Sequence, residues 1–182
     1  GVKLIIVDPV HIALNDSGSC GVYIMPHNIS ESAANINMLV KLDKAEIAEA
    51  KAKIFDPQGK LVEELFGRAD KDRIMLSGEI NCPKLWNGVN DPALYRADIT
   101  LLYDGKPVEQ KFGIRSYQID ADKGFFLNGK SYPLHGVNYH QDSCESGWAM
   151  SDAQRERDYH IIRDMGCTAV RMAHYQHCNH EY

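Results

Sequence analysis

The chain has 182 residues, 44% hydrophobic and 25% charged, with 14 Gly and 7 Pro, which suits one large or two small globular domains and excludes a disordered or collagen-like chain. Twenty basic against 25 acidic side chains give a net charge of −5 with the signs interspersed, so the basic patch of a nucleic-acid binder is missing. The longest early apolar run, Leu4-Ile5-Ile6-Val7, is closed by Asp8-Pro9, far short of the roughly 20 residues of a membrane helix, which excludes membrane spanning on this reading.

From Pro9 to Arg115 the chain reads as short extended segments separated by turns, the spacing of an all-β sandwich with seven or eight strands. Val10–Asn15 runs into the turn cluster Asp16-Ser17-Gly18-Ser19, Val22–Met25 stops at Pro26, and Ala34–Leu42 alternates through Ile36, Met38 and Val40. Ala48-Glu49-Ala50-Lys51-Ala52-Lys53-Ile54 consists of strong helix formers, yet its small apolar and charged residues alternate with period 2, which a helix would scatter around its surface. The segment is therefore read as a strand, followed by the turn tetrad Asp56-Pro57-Gln58-Gly59 and the return run Leu61–Phe66. Arg73–Ile80 is a further run, and Ala93–Tyr103, the turn Asp104-Gly105 and Pro107–Ile114 read as a hairpin. Between them, Trp86 and Tyr95 read as aromatics that tack a loop onto the core; a sugar platform on an exposed Trp86 is the alternative.

After Arg115 the character changes. Phe125-Phe126-Leu127, Asn128-Gly129 and Tyr132–Asn138 read as a hairpin with a type I′ turn. Ser151 with Gln154 three residues on is a capping box; Asp158, Ile161, Ile162 and Met165 follow at helical spacing, and Gly166 ends the helix. The β-rich run Thr168-Ala169-Val170-Arg171-Met172 comes next, so strand, helix and strand form a βαβ unit with parallel strands.

Six of the eight histidines, His135, His140, His160, His174, His177 and His180, crowd this last part. His140 lies just past the first parallel strand and His174 just past the second, on the carboxyl face where ligands bind in parallel α/β folds. Neighbouring strands are about 4.8 Å apart, so both can reach one ligand, and a neutral imidazole with one donor and one acceptor suits a hydroxyl-rich one. The rival grouping of His174, His177, Cys178 and His180 as a zinc site matches none of the familiar paired spacings, and a solvated segment is the preferred reading there. Cys20, Cys82, Cys144, Cys167 and Cys178 form no CxxC pair and read as free thiols, which leans toward a reducing compartment. A start at Gly1 without initiator Met is what a cut piece with an export signal upstream would also show, so the compartment is left open between cytoplasm and periplasm.

The ordered series Leu85-Trp86, Pro92, Leu94-Tyr95, then Phe112-Gly113-Ile114-Arg115, Phe126-Leu127-Asn128-Gly129-Lys130, Gly136-Val137-Asn138-Tyr139-His140 and Ala169-Val170-Arg171-Met172-Ala173-His174-Tyr175 resembles glycoside hydrolase family 2, whose members include β-galactosidase, β-glucuronidase and β-mannosidase. The resemblance covers nearly the whole chain. It implies a mainly β chain in which residues 1–115 are an immunoglobulin-like β-sandwich and residues 116–182 the truncated start of a (β/α)8 (TIM) barrel. It further implies that His140 and His174 hydrogen-bond the sugar, with Asn138 and Arg171 shaping the same face. Tyr139 stands where the family usually has Arg or Lys, and Gln141, followed by Asp142, where it has an acidic residue.

The implied activity is hydrolysis of O-glycosidic bonds with retention, most directly by a β-galactosidase in carbohydrate catabolism, with β-glucuronidase, β-mannosidase or a non-enzymatic β-sandwich binding module as alternatives. Such enzymes use two carboxylates about 5–5.5 Å apart. By the resemblance both come from later barrel strands, so this chain is expected to lack both catalytic residues and to be inactive alone. The expected partner is a β-linked sugar. No cofactor is expected in this chain, and any divalent or monovalent cation belongs to the full-length enzyme. Two parallel strands with one helix leave edge backbone unpaired, so this segment is expected to be partly mobile, docked against the sandwich, or paired with another copy in a homo-oligomer. A sandwich of about 100 residues and a barrel of about 250 need about 350 together, so this length fits one sandwich and roughly a quarter of a barrel.

Overall fold

Ala34, Ile36, Met38 and Val40 alternate with more exposed neighbours, and in the computed structural model, which describes residues 4–44, 47–102 and 107–174, all four lie fully buried on one face of a strand. The first unit comprises residues 1–87 and 91–116. It contains β1 (Val22–His27), β2 (Ala33–Lys41), β3 (Glu49–Phe55), β4 (Leu61–Asp70), β5 (Arg73–Asn81), β6 (Tyr95–Leu101) and β7 (Val108–Phe112). Hydrogen bonding runs in the order β1-β2-β5-β4-β3-β6-β7. β4 meets β5 only through Ala69↔Ile74 and Asp70↔Arg73, so the ladder folds over there into a three-stranded and a four-stranded layer. Ile36, Met38, Ile74 and Leu76 of one layer fill the core with Ile54, Leu65, Ala97 and Ile99 of the other. That is the sandwich the strand spacing predicts.

The helix-forming but alternating segment is strand β3, where Ala50, Ala52 and Ile54 are buried and Lys51 and Lys53 point out to pair with Glu64. Tertiary burial of one face outweighs intrinsic propensity here. The Asp56 side chain accepts from the Gln58 and Lys60 amides, and Gly59 takes φ +85° in the turn to β4. β6 and β7 pair antiparallel as expected. Their Asp104-Gly105 turn lies outside the described residues. Tyr95 is buried, its hydroxyl accepting from the Lys84 amide at 2.8 Å, and the Trp86 amide donates to the Ile114 carbonyl at 2.8 Å. The Arg115 guanidinium sits 4.7 Å over the indole of Trp86, and a Cβ on Gly113 would come within 3.0 Å of the Trp86 Cβ. Both aromatics therefore anchor the loop, as the simpler reading holds.

Four strand assignments change. Val10–Asn15 is not a strand and makes only the bridge Ile12↔Leu42, because β1 already occupies the edge of β2 from Asn35 to Val40. β1 runs through Pro26 to His27, which an edge strand tolerates because its outer N–H groups need no partner. β4 extends past Phe66 to Asp70. In the second unit, residues 88–90 and 117–182, the expected hairpin is a three-stranded sheet of β8 (Tyr117–Asp120), β9 (Gly124–Leu127) and β10 (Lys130–Ser131). Asn128 and Gly129 do take the two positive φ values of a type I′ turn, 50° and 75°. The return arm is short: the Tyr132 amide still donates to the Phe125 carbonyl, but Pro133 has no N–H to continue the ladder.

The βαβ unit forms, with its first strand shifted along the chain to begin at Gly136 and to include His140 as its last residue instead of stopping just before it. β11 (Gly136–His140) and β12 (Ala169–Ala173) pair parallel around α1 (Asp152–Asp164), whose N-cap Ser151 and Gln154 form both bonds of the capping box. Gly166 follows the helix at φ +79°. The inward face of α1 is narrower than its spacing suggests: Arg155 is buried and Tyr159 and Ile162 half-buried, whereas Ile161 and Met165 are exposed.

Ile36→Ala should destabilise the purified chain by about 2–5 kcal/mol in urea unfolding, whereas Met75→Thr on the outer face should stay within about 0.5 kcal/mol. A second outcome concerns Asp16, whose carboxylate takes bonds from the Lys41 ammonium at 2.8 Å and the Tyr23 hydroxyl at 2.6 Å. These bonds, that to Lys41 first, hold its pKa below the ordinary carboxylate value. A depressed folded pKa means that the stabilisation is present above the unfolded pKa and is lost as pH falls through the folded one. The melting-temperature advantage of wild type over Asp16→Asn should therefore be present at neutral pH and fade below about pH 4.

Candidate functional site

Strand β11 presents alternate residues to opposite faces. Tyr139 is buried against α1, its ring centroid 5.3 Å from that of Tyr159, with its hydroxyl donating to Asp158 Oδ2 at 3.2 Å and lying 3.8 Å from Met150 Sδ. Asn138 and His140 have the opposite parity and are exposed. The parallel register sets Asn138 beside Arg171 and His140 beside Ala173, the residue before His174. The Ala173–His174 peptide is cis.

All four residues singled out from the sequence come together. Arg171 Nη1 donates to Asn138 Oδ1 at 3.4 Å and lies 3.1 Å from His174 Nδ1. The His140 and His174 rings meet edge to face, with centroids 5.2 Å apart and planes at 78°. A guanidinium only donates, so His174 Nδ1 is the acceptor and the proton of the neutral ring sits on Nε2. That Nε2–H is a fixed donor for a ligand, and His140 beside it adds a second imidazole. Two imidazoles and an amide ordered by a guanidinium can orient hydroxyl groups by hydrogen bonds. They are not the pair of carboxylates that cleaves a glycosidic bond.

The framework beneath this group includes residues that the sequence does not flag. Thr168 Oγ1 donates to the Pro133 carbonyl at 2.7 Å and accepts from the His135 amide at 2.9 Å, while the Thr168 amide donates to the His135 carbonyl at 2.8 Å. These bonds tie the start of β12 to the approach to β11. Arg155, buried at the first turn of α1, donates to the Met150 carbonyl at 3.0 Å and pairs with Asp152. Gln154 reaches Ser143 and Ser146, so the helix start gathers the loop that leaves His140. The only sequence signals were the opposite parity of Tyr139 to His140 and a hydroxyl residue opening the second strand. Of the alternative zinc set, His177, Cys178 and His180 lie outside the described residues, among which no three His, Cys, Asp or Glu side chains gather as for a metal ion.

Thr168→Val should cost the second unit about 0.5–1.5 kcal/mol, the net worth of hydrogen bonds whose partners water can reach, and it should show as faster amide exchange across β11 and β12 with the sandwich strands unchanged.

Residues 12–115 match the family described as Glycosyl hydrolases family 2, and residues 119–182 match Glycosyl hydrolases family 2, TIM barrel domain. A β-glucuronidase of Bacteroides fragilis is 36% identical over the whole chain, which spans 28% of that relative's length. Among solved structures, a putative β-galactosidase from Bacteroides fragilis superposes with a TM-score of 0.84 at 35% identity, over 92% of this chain and 27% of that one. Bacteroides uniformis β-glucuronidase 2, covalently bound to cyclophellitol-6-carboxylate aziridine, superposes with a TM-score of 0.79 at 29% identity, over 91% of this chain and 22% of that one. The chain thus spans about a quarter of the length of these relatives.

Proposed function

This chain belongs to glycosyl hydrolase family 2, and from that premise we propose that it is the sugar-orienting part of a retaining β-glycosidase whose two catalytic carboxylates lie elsewhere in the full-length protein. The observation that carries the reading is the convergence of Asn138, His140, Arg171 and His174 at the carboxyl ends of two parallel strands, where a (β/α)8 barrel holds its substrate. Retention requires a carboxylate nucleophile and a covalent glycosyl intermediate. The covalent adduct of the Bacteroides uniformis relative supports that chemistry for this protein.

In this reading the His174 Nε2–H and the His140 ring hydrogen-bond hydroxyls of the sugar as its ring flattens toward an oxocarbenium-like transition state. Contacts that strengthen in that state raise kcat, whereas contacts equal in both states lower only KM. Arg171 holds the acceptor nitrogen of His174 and the carbonyl of Asn138, which keeps both groups from rotating away as charge develops. For the sugar itself, a β-glucuronide stands beside the β-galactoside that the sequence puts first: the relative matched over the whole chain is a β-glucuronidase and the 35% identical structure a putative β-galactosidase.

The full-length protein, assayed on p-nitrophenyl β-D-glucuronide and β-D-galactoside, should hydrolyse one of them. His140→Ala and His174→Ala should each lower kcat/KM on it by about a hundredfold or more. The 182-residue chain alone should release no nitrophenol. Turnover by that chain would overturn the assignment of both carboxylates to the rest of the protein, and no turnover of either glycoside by the full-length protein would overturn the substrate reading.

A further inference from the structure

The buried side of β11 carries a polar contact that core packing alone does not need. Tyr139 is 7% exposed and Met150 8% exposed, in a pocket where a phenylalanine would serve as well for filling space. The hydroxyl instead reaches Asp158 Oδ2, two turns into α1, at 3.2 Å, with Met150 Sδ at 3.8 Å on its other side. Tyr139 is flanked in sequence by Asn138 and His140, whose side chains leave the opposite face of the same strand. A strand cannot rotate one residue without rotating its neighbours, because successive side chains share one pleat. The contact that fixes Tyr139 therefore fixes the direction in which Asn138 and His140 point.

The end of β11 is where such a restraint acts, since its ladder with β12 stops at His140. From Gln141 the chain runs into a loop closed by the Ser143–Gly147 bridge. The last register pair among the described residues is His140↔Ala173, which brings the ring of His140 beside that of His174. On the helix side Asp158 stands one turn beyond Arg155, which is buried and bonded to the Met150 carbonyl.

We propose that Tyr139 and Asp158 are positioning residues for the sugar site: their hydrogen bond through the back of β11 sets His140 against His174 and Asn138 against Arg171. The inference rests on the proposed role of those four residues in holding the sugar, but its geometric content does not depend on turnover.

Crystal structures of the full-length protein as wild type, Tyr139→Phe and Asp158→Ala test it, with kinetics on whichever glycoside the wild type hydrolyses. Asp158→Ala removes the bond from the helix side at a position where Ala favours the helix, so it keeps the test alive should Tyr139→Phe not fold. Both variants should move the His140 ring from the His174 ring by about 0.5 Å or more, the tolerance of a productive site. Each should lower kcat/KM about tenfold, mostly in kcat. In a His140→Ala background the same substitutions should change kcat less than about twofold, because residues acting through one another are not additive. Ser151→Ala, which removes the N-cap of α1, should lower the melting temperature while leaving the ring separation unchanged.

Histidine rings that stay in place in both variants, or kinetic effects that add to that of His140→Ala, would overturn the proposal. So would a wild-type structure in which the Tyr139–Asp158 bond is absent. Loss of turnover in the wild type bears only on the substrate reading, since the ring separation is read without it.

Discussion

A parallel strand pair has no tight turn to set its register, and the arrangement of the second unit depends on how β11 and β12 solve that problem. Their connection is a loop and a 13-residue helix, long enough to allow a slip in either direction. A slip by one residue would send Asn138 and His140 to the helix side and bury Tyr139's neighbours instead. Thr168 opposes this at the start of the pair by bonding both the carbonyl of Pro133 and the amide of His135. With that end fixed, Asn138 falls beside Arg171 and His140 beside Ala173, and the two imidazoles meet.

The two faces of β11 divide the labour by parity. Tyr139 supplies burial against α1, and Asn138 and His140 supply polar groups to the open face. The helix contributes little apolar area on its inner side, where Arg155, Asp158 and Tyr159 stand in place of the aliphatic residues common in such positions. Its start is held by directional bonds, the capping box and the Arg155 contact with Met150, more than by hydrophobic burial. That construction suits a site whose side chains must be aimed as well as supported, since a hydrogen bond fixes an angle and an apolar contact does not. The sandwich is built the other way, with a core of alternating aliphatic residues from two layers and its polar contacts on the outside.

Much of this was legible in the residues. Period-2 alternation identified β2 and β3, the second against its own helix-forming composition, because burial of one face decides a strand. Asn128-Gly129 marked its turn, and Ser151 with Gln154 marked the helix start. The failures were at edges. Val10–Asn15 has the alternation of a strand but no free edge to join, Pro26 ends no strand because β1 is itself an edge, and β8 carries no pattern that sets it apart from a loop. Each of these depends on which backbone groups remain unpaired after the rest of the sheet has formed, a property that no local window contains.

The sequence by itself determined the family, the two kinds of architecture and the four residues of the candidate site, because motif residues, turn dipeptides and hydrophobic period are local and are written in order along the chain. Only the tertiary structure decided that Arg171 binds both Asn138 and His174, that the imidazoles lie edge to face, and that Tyr139 reaches Asp158 behind them. Those contacts join residues 3 to 34 positions apart, and the longer ones come within reach only when β11 and β12 pair in one register with α1 laid across one side. Register and strand facing are collective properties of the packed unit, so the orientation of the site is fixed by bonds such as those of Thr168, whose partners the linear order does not reveal.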